Sequence, residues 1–348
     1  TYALRISSLK DIRFIEQWYR MCKAKNISEF KEAMRIHAIP MFNTGYADKD
    51  GILYYVYNAK IPKRDPRYDY TKVLPGESKQ VIWYDYIPFN QLPQVYNPLE
   101  GFYQNCNSNP YLATGSRIEA SRPLPEWTNI EKHQTNRALR ALETFGIDPS
   151  ITREEFFNYK YDVEYSRESI LSDVRKKFLS DIDERGIPED ILEAVELIRD
   201  WDLRADSLNT SAALSILTLP NAFRLEDLKY DLDSVITKLR ESVIFLEDNH
   251  DSISVPLGKV SRLIRGEVDL PLSGGPCTLR AIYTKRDEEI YKAVAGDCYI
   301  QAVEWGPEGH LNSWSIHQYG SATKDNTSLH YNDQSVLFSN QKMKQIRP

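Results

Sequence analysis

Asn105 and Asn107 stand two residues apart, on either side of Cys106, in the segment VYNPLEGFYQNCNSNP that runs from Val95 to Pro110. In an extended segment side chains two apart project to the same side, so both amides would face one way. A side-chain amide held by a rigid turn can donate its N–H to an oxyanion developing during acyl transfer. The same segment packs four asparagines, one glycine and two prolines into sixteen residues. Those are turn formers, and a turn Asn commonly bonds only its own loop. Residue type alone leaves both roles open.

Other side chains invite similar questions. Arg137, in TNRALRAL, falls near the start of a predicted helix. An Arg buried there pairs with a carboxylate or a carbonyl; the alternative is a plain surface Arg, and Arg140 competes one turn later. Glu304, in AVEWG, sits within a hydrophobic strand pattern. A carboxylate there finds a partner or shifts its pKa, unless an edge position lets it face water. His330 belongs to SLHYNDQ, readable as an acid/base cluster or as a buried hydrogen-bonded network. Thr1 would be a nucleophile and amine in one residue if its amino group is free.

Metal and phosphate chemistry find less support. Asp48, Asp50, Asp65, Asp69 and Asp85 are scattered without EF-hand spacing. Gly274-Gly275 lies outside any phosphate-cradle pattern and reads as a tight turn between strands. The cysteines, Cys22, Cys106, Cys277 and Cys298, form no CxxC or Cys/His spacing. They read as unpaired, with a Cys277–Cys298 bridge left open.

The elements that must position these groups fall into three stretches. Residues 1–125 are mixed. TYALRISSL alternates like a strand, which suggests a chain that begins inside an element, as a processed product would. LKDIRFIEQWYRMCKAKN has Ile12, Ile15, Trp18, Tyr19 and Cys22 near helical spacing, and Ser28 is the expected cap of a second helix. GILYYVYN reads as a strand leaving an Asp-Gly turn, and VIWYDYIPF as another stopped by Pro88. Residues 126–254 are helical in period: TNIEKHQTNRALRALETFG with Thr128 as cap, TREEFFNYKYD with Thr152 and Glu155 as a capping box, and three longer runs ending in LEDLKYDLDSVITKLRESVIFLED. Residues 255–348 return to strands. Strands, then helices, then strands predict an α+β fold with a helical insertion.

Bulk properties narrow the function classes. The 348 residues are 41% hydrophobic and 27% charged, as in folded globular chains. A net charge of −6 gives no general reason to expect nucleic-acid binding. No apolar run is long enough to span a membrane, and no signal peptide is visible.

Four ordered stretches together resemble the penicillin acylase (penicillin amidase) family of N-terminal-nucleophile hydrolases. IPMFNTGYADKDGILYYVYNAKIPKRD is similar to its Asn…Tyr-Ala-Asp…Gly…Ile-x-Tyr…Pro-x-Arg run. IPFNQLPQVYNP resembles its Leu-Pro-Phe…Pro…Tyr-Asn-Pro run, and NCN its Asn-x-Asn. SLHYNDQSVLF resembles its Ser-x-His-Tyr-x-Asp-Gln signature. The Val-Glu-Trp and Asp-Ser-Leu-Asn-Thr-Ser-Ala-Ala stretches lean toward the acyl-homoserine-lactone and aculeacin acylase branch.

The resemblance implies a four-layer αββα sandwich, of which this chain supplies part, from the C-terminal portion of the β-chain. It places Asn107 as the oxyanion donor and leaves Asn105 to brace the loop. It puts Arg137 on the family arginine close to the nucleophile and its amino group. Glu304 falls on a glutamate that orients a histidine. The family nucleophile is an N-terminal Ser that forms an acyl-enzyme on a linear amide; that Ser and the histidine are expected outside this chain, so the chain alone is expected to be inactive. The implied partners are an α-chain and the N-terminal part of the β-chain of one self-cleaving precursor (a zymogen), with a small acyl amide as substrate: an acyl-homoserine lactone, an acylated peptide or a β-lactam side chain. Quorum quenching and antibiotic resistance are the corresponding roles, and a periplasmic or secreted location follows by resemblance. No cofactor is required; Ca2+ is allowed, since Pro66 resembles a backbone calcium contact. The rival readings are an inactive binding or scaffold member of the fold, and a hydrolase using Thr1, which the family register instead puts in an interior strand.

Overall fold

The computed structural model describes residues 1–115, 123–221, 228–306 and 309–346. Two compact units are present, Thr1–His133 and Gln134–Pro348.

In the first unit, helix α1 (Arg13–Lys23) leads into α2 (Ile27–Arg35). Asn26, not Ser28, caps α2, because its backbone is extended and its side chain accepts the Glu29 N–H at 3.0 Å. Gly51 then takes the left-handed backbone that the predicted Asp-Gly turn requires, with φ of 78°. It closes a hairpin of β1 (Met41–Ala47) and β2 (Leu53–Ala59), and β3 (Gln94–Tyr96) pairs antiparallel with β2 in the order β1-β2-β3. Strand β2 is covered on both faces, which accounts for its unbroken apolar run. Tyr54 and Val56 pack with Phe30 and Met34 of α2. Tyr57 and Ala59 pack on the other side with Ile61, Ile87, Leu92 and Ile130.

Two expected strands do not form here. Residues 1–6 have no regular structure, and Tyr2 and Leu4 are each 83% exposed. Alternation makes a strand only where a neighbouring strand supplies the ladder. Val81–Phe89 contributes one isolated bridge, Tyr86 with Pro62. Its Trp83 is occupied by the guanidinium groups of Arg5, at 5.0 Å, and Arg64, at 6.0 Å.

The second unit opens on α3 (Asn136–Thr144), capped by Thr135. The expected cap, Thr128, instead ends a single turn at Glu126–Thr128, which Asn129 breaks with a left-handed φ of 53°. Helices α4 (Arg153–Lys160), α5 (Ile170–Arg185), α6 (Leu192–Asp200), α7 (Ala212–Thr218) and α8 (Leu232–His250) follow. Positions 225–227 of the last predicted helical run lie outside the described residues. Leu171, Val174, Phe178 and Ile182 form one stripe along α5, spaced for a helix face. That stripe packs with Val195 and Ile198 of α6 and Leu239 and Leu246 of α8 in the largest core of the chain.

Strands return after the short α9 (Leu257–Val260): β4 (Ser261–Arg265), β5 (Val268–Pro271), β6 (Ile282–Asp287) and β7 (Ile290–Gly296) form a sheet ordered β5-β4-β7-β6, in which only the β4–β7 pairing is parallel. The next sheet contains β8 (Tyr299–Trp305), β9 (Leu311–His317) and, after α10 (Ser335–Ser339), β10 (Lys344–Gln345), in the order β10-β9-β8. Leu263, Ile282, Ile300, Ile316 and Phe338 join these elements in one cluster.

Candidate active site

Asn107 stands in a loop that closes on itself. The Gln104 N–H donates to the Ala113 carbonyl at 2.7 Å, and the Asn109 side chain accepts the Tyr111 N–H at 3.0 Å. Within it Asn107 has a left-handed backbone, φ 59°, and an exposed side chain. Asn adopts that region more readily than most residues. Its backbone N–H donates to Asn105 Oδ1 at 3.1 Å. Asn105 Nδ2 in turn donates to Tyr55 Oη at 3.2 Å, and Tyr55 Oη donates to Asn43 Oδ1 at 2.7 Å. A polar relay therefore runs from the loop tip through buried Tyr55 of β2 to β1.

Burial pushes the Tyr55 phenol well above its ordinary pKa, against the opposing effect of the Asn105 bond. The ring thus stays protonated, as its donation to Asn43 requires. Tyr103 packs beside it, with ring centroids 5.9 Å apart, and its hydroxyl end approaches Gly45 of β1. A Cβ at position 45 would run into the Tyr103 hydroxyl, so any larger residue there requires the ring to move. A cavity of about 250 Å³ opens beside the same loop, lined by Asn109, Tyr111, Leu124, Ile130 and Glu131 among others. Sequence reasoning gave no role to Tyr55, Asn43 or Tyr103, although Asn43 is the asparagine of the Asn…Tyr-Ala-Asp run and Tyr103 lies in the oxyanion segment. Tyr55 is one of three tyrosines in four residues, and nothing in its type marks it out.

Arg137 is the second residue of α3 and half-buried. Its charge bears on the Cys277 thiol and the Tyr283 hydroxyl, opposing the upward pull of burial on both pKa values. The preceding residue, Asn136, anchors this helix start. Asn136 Nδ2 donates to the Cys277 carbonyl at 2.9 Å and the Glu164 carbonyl at 3.2 Å, and Asn136 Oδ1 accepts the Ser166 N–H at 2.8 Å. Arg140 is spent differently. It grips Asp162 with two hydrogen bonds, at 3.1 and 2.8 Å, and also pairs with Glu143. Burial works against its charge, but those carboxylates outweigh burial and raise its pKa. This is a structural tie.

Glu304 lies on edge strand β8 and has found a partner. Arg153 Nε and Nη2 donate to its two oxygens at 2.6 and 3.0 Å. That bond holds the carboxyl below its ordinary range. Arg153 directly follows the cap of α4, where Thr152 and Glu155 form the predicted capping box, and its guanidinium also covers Trp314 at 4.9 Å. The three candidates thus rest on three separate supports: a loop tip, a helix start and a sheet edge.

The remaining expectations can be placed as well. His330 is exposed rather than buried, although Nδ1 does bond Asp333 at 2.8 Å. The signature around it is pinned by Arg265, whose guanidinium lies 3.8 Å from the Tyr331 ring centre. Cys277 is buried, Cys298 is exposed, and both are free thiols. Asp65, beside Pro66, spends both carboxylate oxygens on Arg67. No three His, Cys, Asp or Glu side chains converge to hold a metal among the described residues. A calcium ion at Pro66 would draw its other ligands from elsewhere. No helix among the described residues is long and apolar enough to cross a membrane.

Comparison with known proteins shows the family and the fold. Acyl-homoserine lactone acylase PvdQ of Pseudomonas syringae is 24% identical over 97% of the chain, and that of Pseudomonas fluorescens 23% over 97%. Penicillin G acylase of Escherichia coli is 33% identical over 29% of the chain and 12% of its own length. The chain spans about half the length of the PvdQ relatives, 49% and 48%. Thermostable penicillin G acylase from Alcaligenes faecalis superposes with a TM-score of 0.60 at 13% identity, over 99% of this chain and 71% of that one. That likeness bears out the expected partial N-terminal-nucleophile hydrolase fold. The penicillin amidase family model matches residues 1–347, and the chain belongs to that family.

Proposed function

We propose that this chain is the oxyanion-stabilising part of an amidohydrolase that cleaves a linear acyl amide. The nucleophile is an N-terminal Ser on further polypeptide of the same precursor, namely an α-chain and the N-terminal part of the β-chain. The Ser Oγ attacks the amide carbonyl, its proton passes to the α-amino group, and the carbonyl oxygen becomes an anion. Asn107 Nδ2 donates to that oxygen. Collapse of the tetrahedral species breaks the C–N bond as the α-amino group passes its proton to the departing amine, and water then hydrolyses the acyl ester to free the acid and regenerate the Ser. Arg137 acts beside the amino group. Glu304 holds a histidine from the missing segment; each oxygen keeps a lone pair beyond its bond to Arg153. The two PvdQ relatives favour an acyl-homoserine lactone over an acylated peptide or a β-lactam side chain, and an exported, periplasmic setting suits such a substrate.

The observation that carries this reading is the braced loop: a left-handed Asn107 at its tip, tied through Asn105 and Tyr55 to β1. Left-handed non-glycine residues cluster at functional sites, where the surroundings over-determine them. The test is Asn107→Ala in the complete assembly. Folding is expected to be unchanged while kcat falls by about a hundredfold or more. Unchanged turnover would remove Asn107 from the mechanism.

A further inference from the structure

The Gly274-Gly275 turn between β5 and β6 is fixed more tightly than a connection between strands requires. Gly274 has φ of 109°, and a Cβ on it would run into the Arg280 carbonyl. Gly275 lies against the hydroxyl of fully buried Tyr165. Thr278, itself fully buried, closes the turn: its Oγ1 accepts the Gly275 N–H at 3.0 Å and donates to the Arg280 carbonyl at 2.6 Å. Asn221 Nδ2 adds a bond to the Pro276 carbonyl at 3.1 Å.

What the turn holds is Cys277, a buried non-glycine residue in the left-handed region, φ 66°. Its carbonyl accepts Asn136 Nδ2 at 2.9 Å, which brings the start of α3 against the turn. Its Sγ lies 3.5 Å from Tyr283 Oη, within hydrogen-bond contact for sulfur. At Tyr283 the β6–β7 ladder skips Val294, a bulge of the kind that re-aims side chains beside active sites. A left-handed residue and a bulge thus converge on one helix start, and such irregularities persist where the surroundings over-determine them. Burial raises the pKa of both the Cys277 thiol and the Tyr283 hydroxyl, and the Arg137 charge opposes it. Asp162 and Glu164, on the segment that Asn136 also grips, are tied to Arg140 and Arg204.

We propose that Cys277 and Tyr283 are positioning residues that seat the start of α3 and so set the place of the Arg137 guanidinium. They act through Arg137, not on substrate. This rests on the reading that Arg137 lies beside the nucleophile's amino group, and adds what sets its place there. A cation beside an amine disfavours the protonated amine. A well-seated Arg137 therefore keeps that amine able to take the Ser proton at lower pH, and a displaced one does so less.

The test is the pH profile of kcat/KM in the complete assembly, which reports the essential base of the free enzyme. Tyr283→Phe removes one hydroxyl. It should lower kcat about tenfold or more with KM little changed, and move the acidic limb upward by about 0.5 pH unit or more. Cys277→Ala should do the same, while Cys277→Ser, which keeps a hydrogen-bonding group, should restore the original limb; this pair decides if Tyr283→Phe does not assemble. Arg137→Ala calibrates the full displacement. A limb that moves in Arg137→Ala but not in Tyr283→Phe or Cys277→Ala would overturn the proposal and leave the role of Arg137 standing, even if those variants melt at lower temperature. So would a Cys277→Ser variant that behaves like Cys277→Ala. A limb unmoved in Arg137→Ala as well would overturn the reading beneath it too. Asn107→Ala is read by turnover and should leave the limb in place, so the oxyanion role stands or fails separately.

Discussion

Tyr55 is the residue on which the loop geometry turns. Its hydroxyl both donates to Asn43 and accepts from Asn105, so Tyr55→Phe strands two amides at once. Leaving buried polar groups unsatisfied costs about 1–3 kcal/mol, which a denaturant midpoint would register. A displaced donor in the assembled enzyme should lower kcat by about tenfold to a hundredfold, with KM little changed. A purely structural tyrosine would show the stability loss alone. His37 offers a second test. Burial holds its imidazole below the ordinary range, against its bond to the Ala59 carbonyl. The folded chain thus prefers the neutral ring. Its contribution is complete above about pH 6.5 and is lost as pH falls through the lower folded value. Melting temperature should therefore drop on acidification below pH 6.5. The drop should be smaller in His37→Asn, which tolerates the left-handed φ of 51° at that position.

Among the elements, α4 ties a cap to a candidate carboxylate. Thr152 and Glu155 satisfy each other's backbone N–H groups, and Arg153 follows at once. Thr152→Ala should cost about 1 kcal/mol by chemical denaturation. Arg153→Met should cost less, since an ion pair this exposed is screened by solvent and contributes little to stability. The same change should let the Glu304 carboxyl rise toward its ordinary pKa, which an NMR titration would follow; no movement would mean that Arg153 is not what depresses it. Elements were legible in the sequence where local chemistry decides. The capping box, the Asp-Gly hairpin and the helical period of α3 to α8 follow from spacing. They were illegible where a distant group decides. Val81–Phe89 has strand composition, yet Trp83 answers to Arg5 and Arg64. Asn26 displaced Ser28 as cap through a backbone angle that composition does not encode.

For the molecule as a whole, the largest buried cluster among the described residues is the helical core of the second unit, where Phe178 is completely buried. Phe178→Ala should destabilise by about 3–5 kcal/mol, seen as a lower denaturant midpoint with an unchanged slope. The candidate residues were reached in a different way from that core. Asn107, Arg137 and Glu304 rest on motif order along the chain, which names positions but not supports. The tyrosine, asparagine and glycine that hold the loop are long-range partners, and residue type alone does not mark them. Gly45 carries a lesson for the history of the family. Because a Cβ at position 45 would run into the Tyr103 hydroxyl, the two positions are coupled. Homologues that acquire a side chain at the first should have lost the ring at the second, so the two alignment columns should drift as a pair.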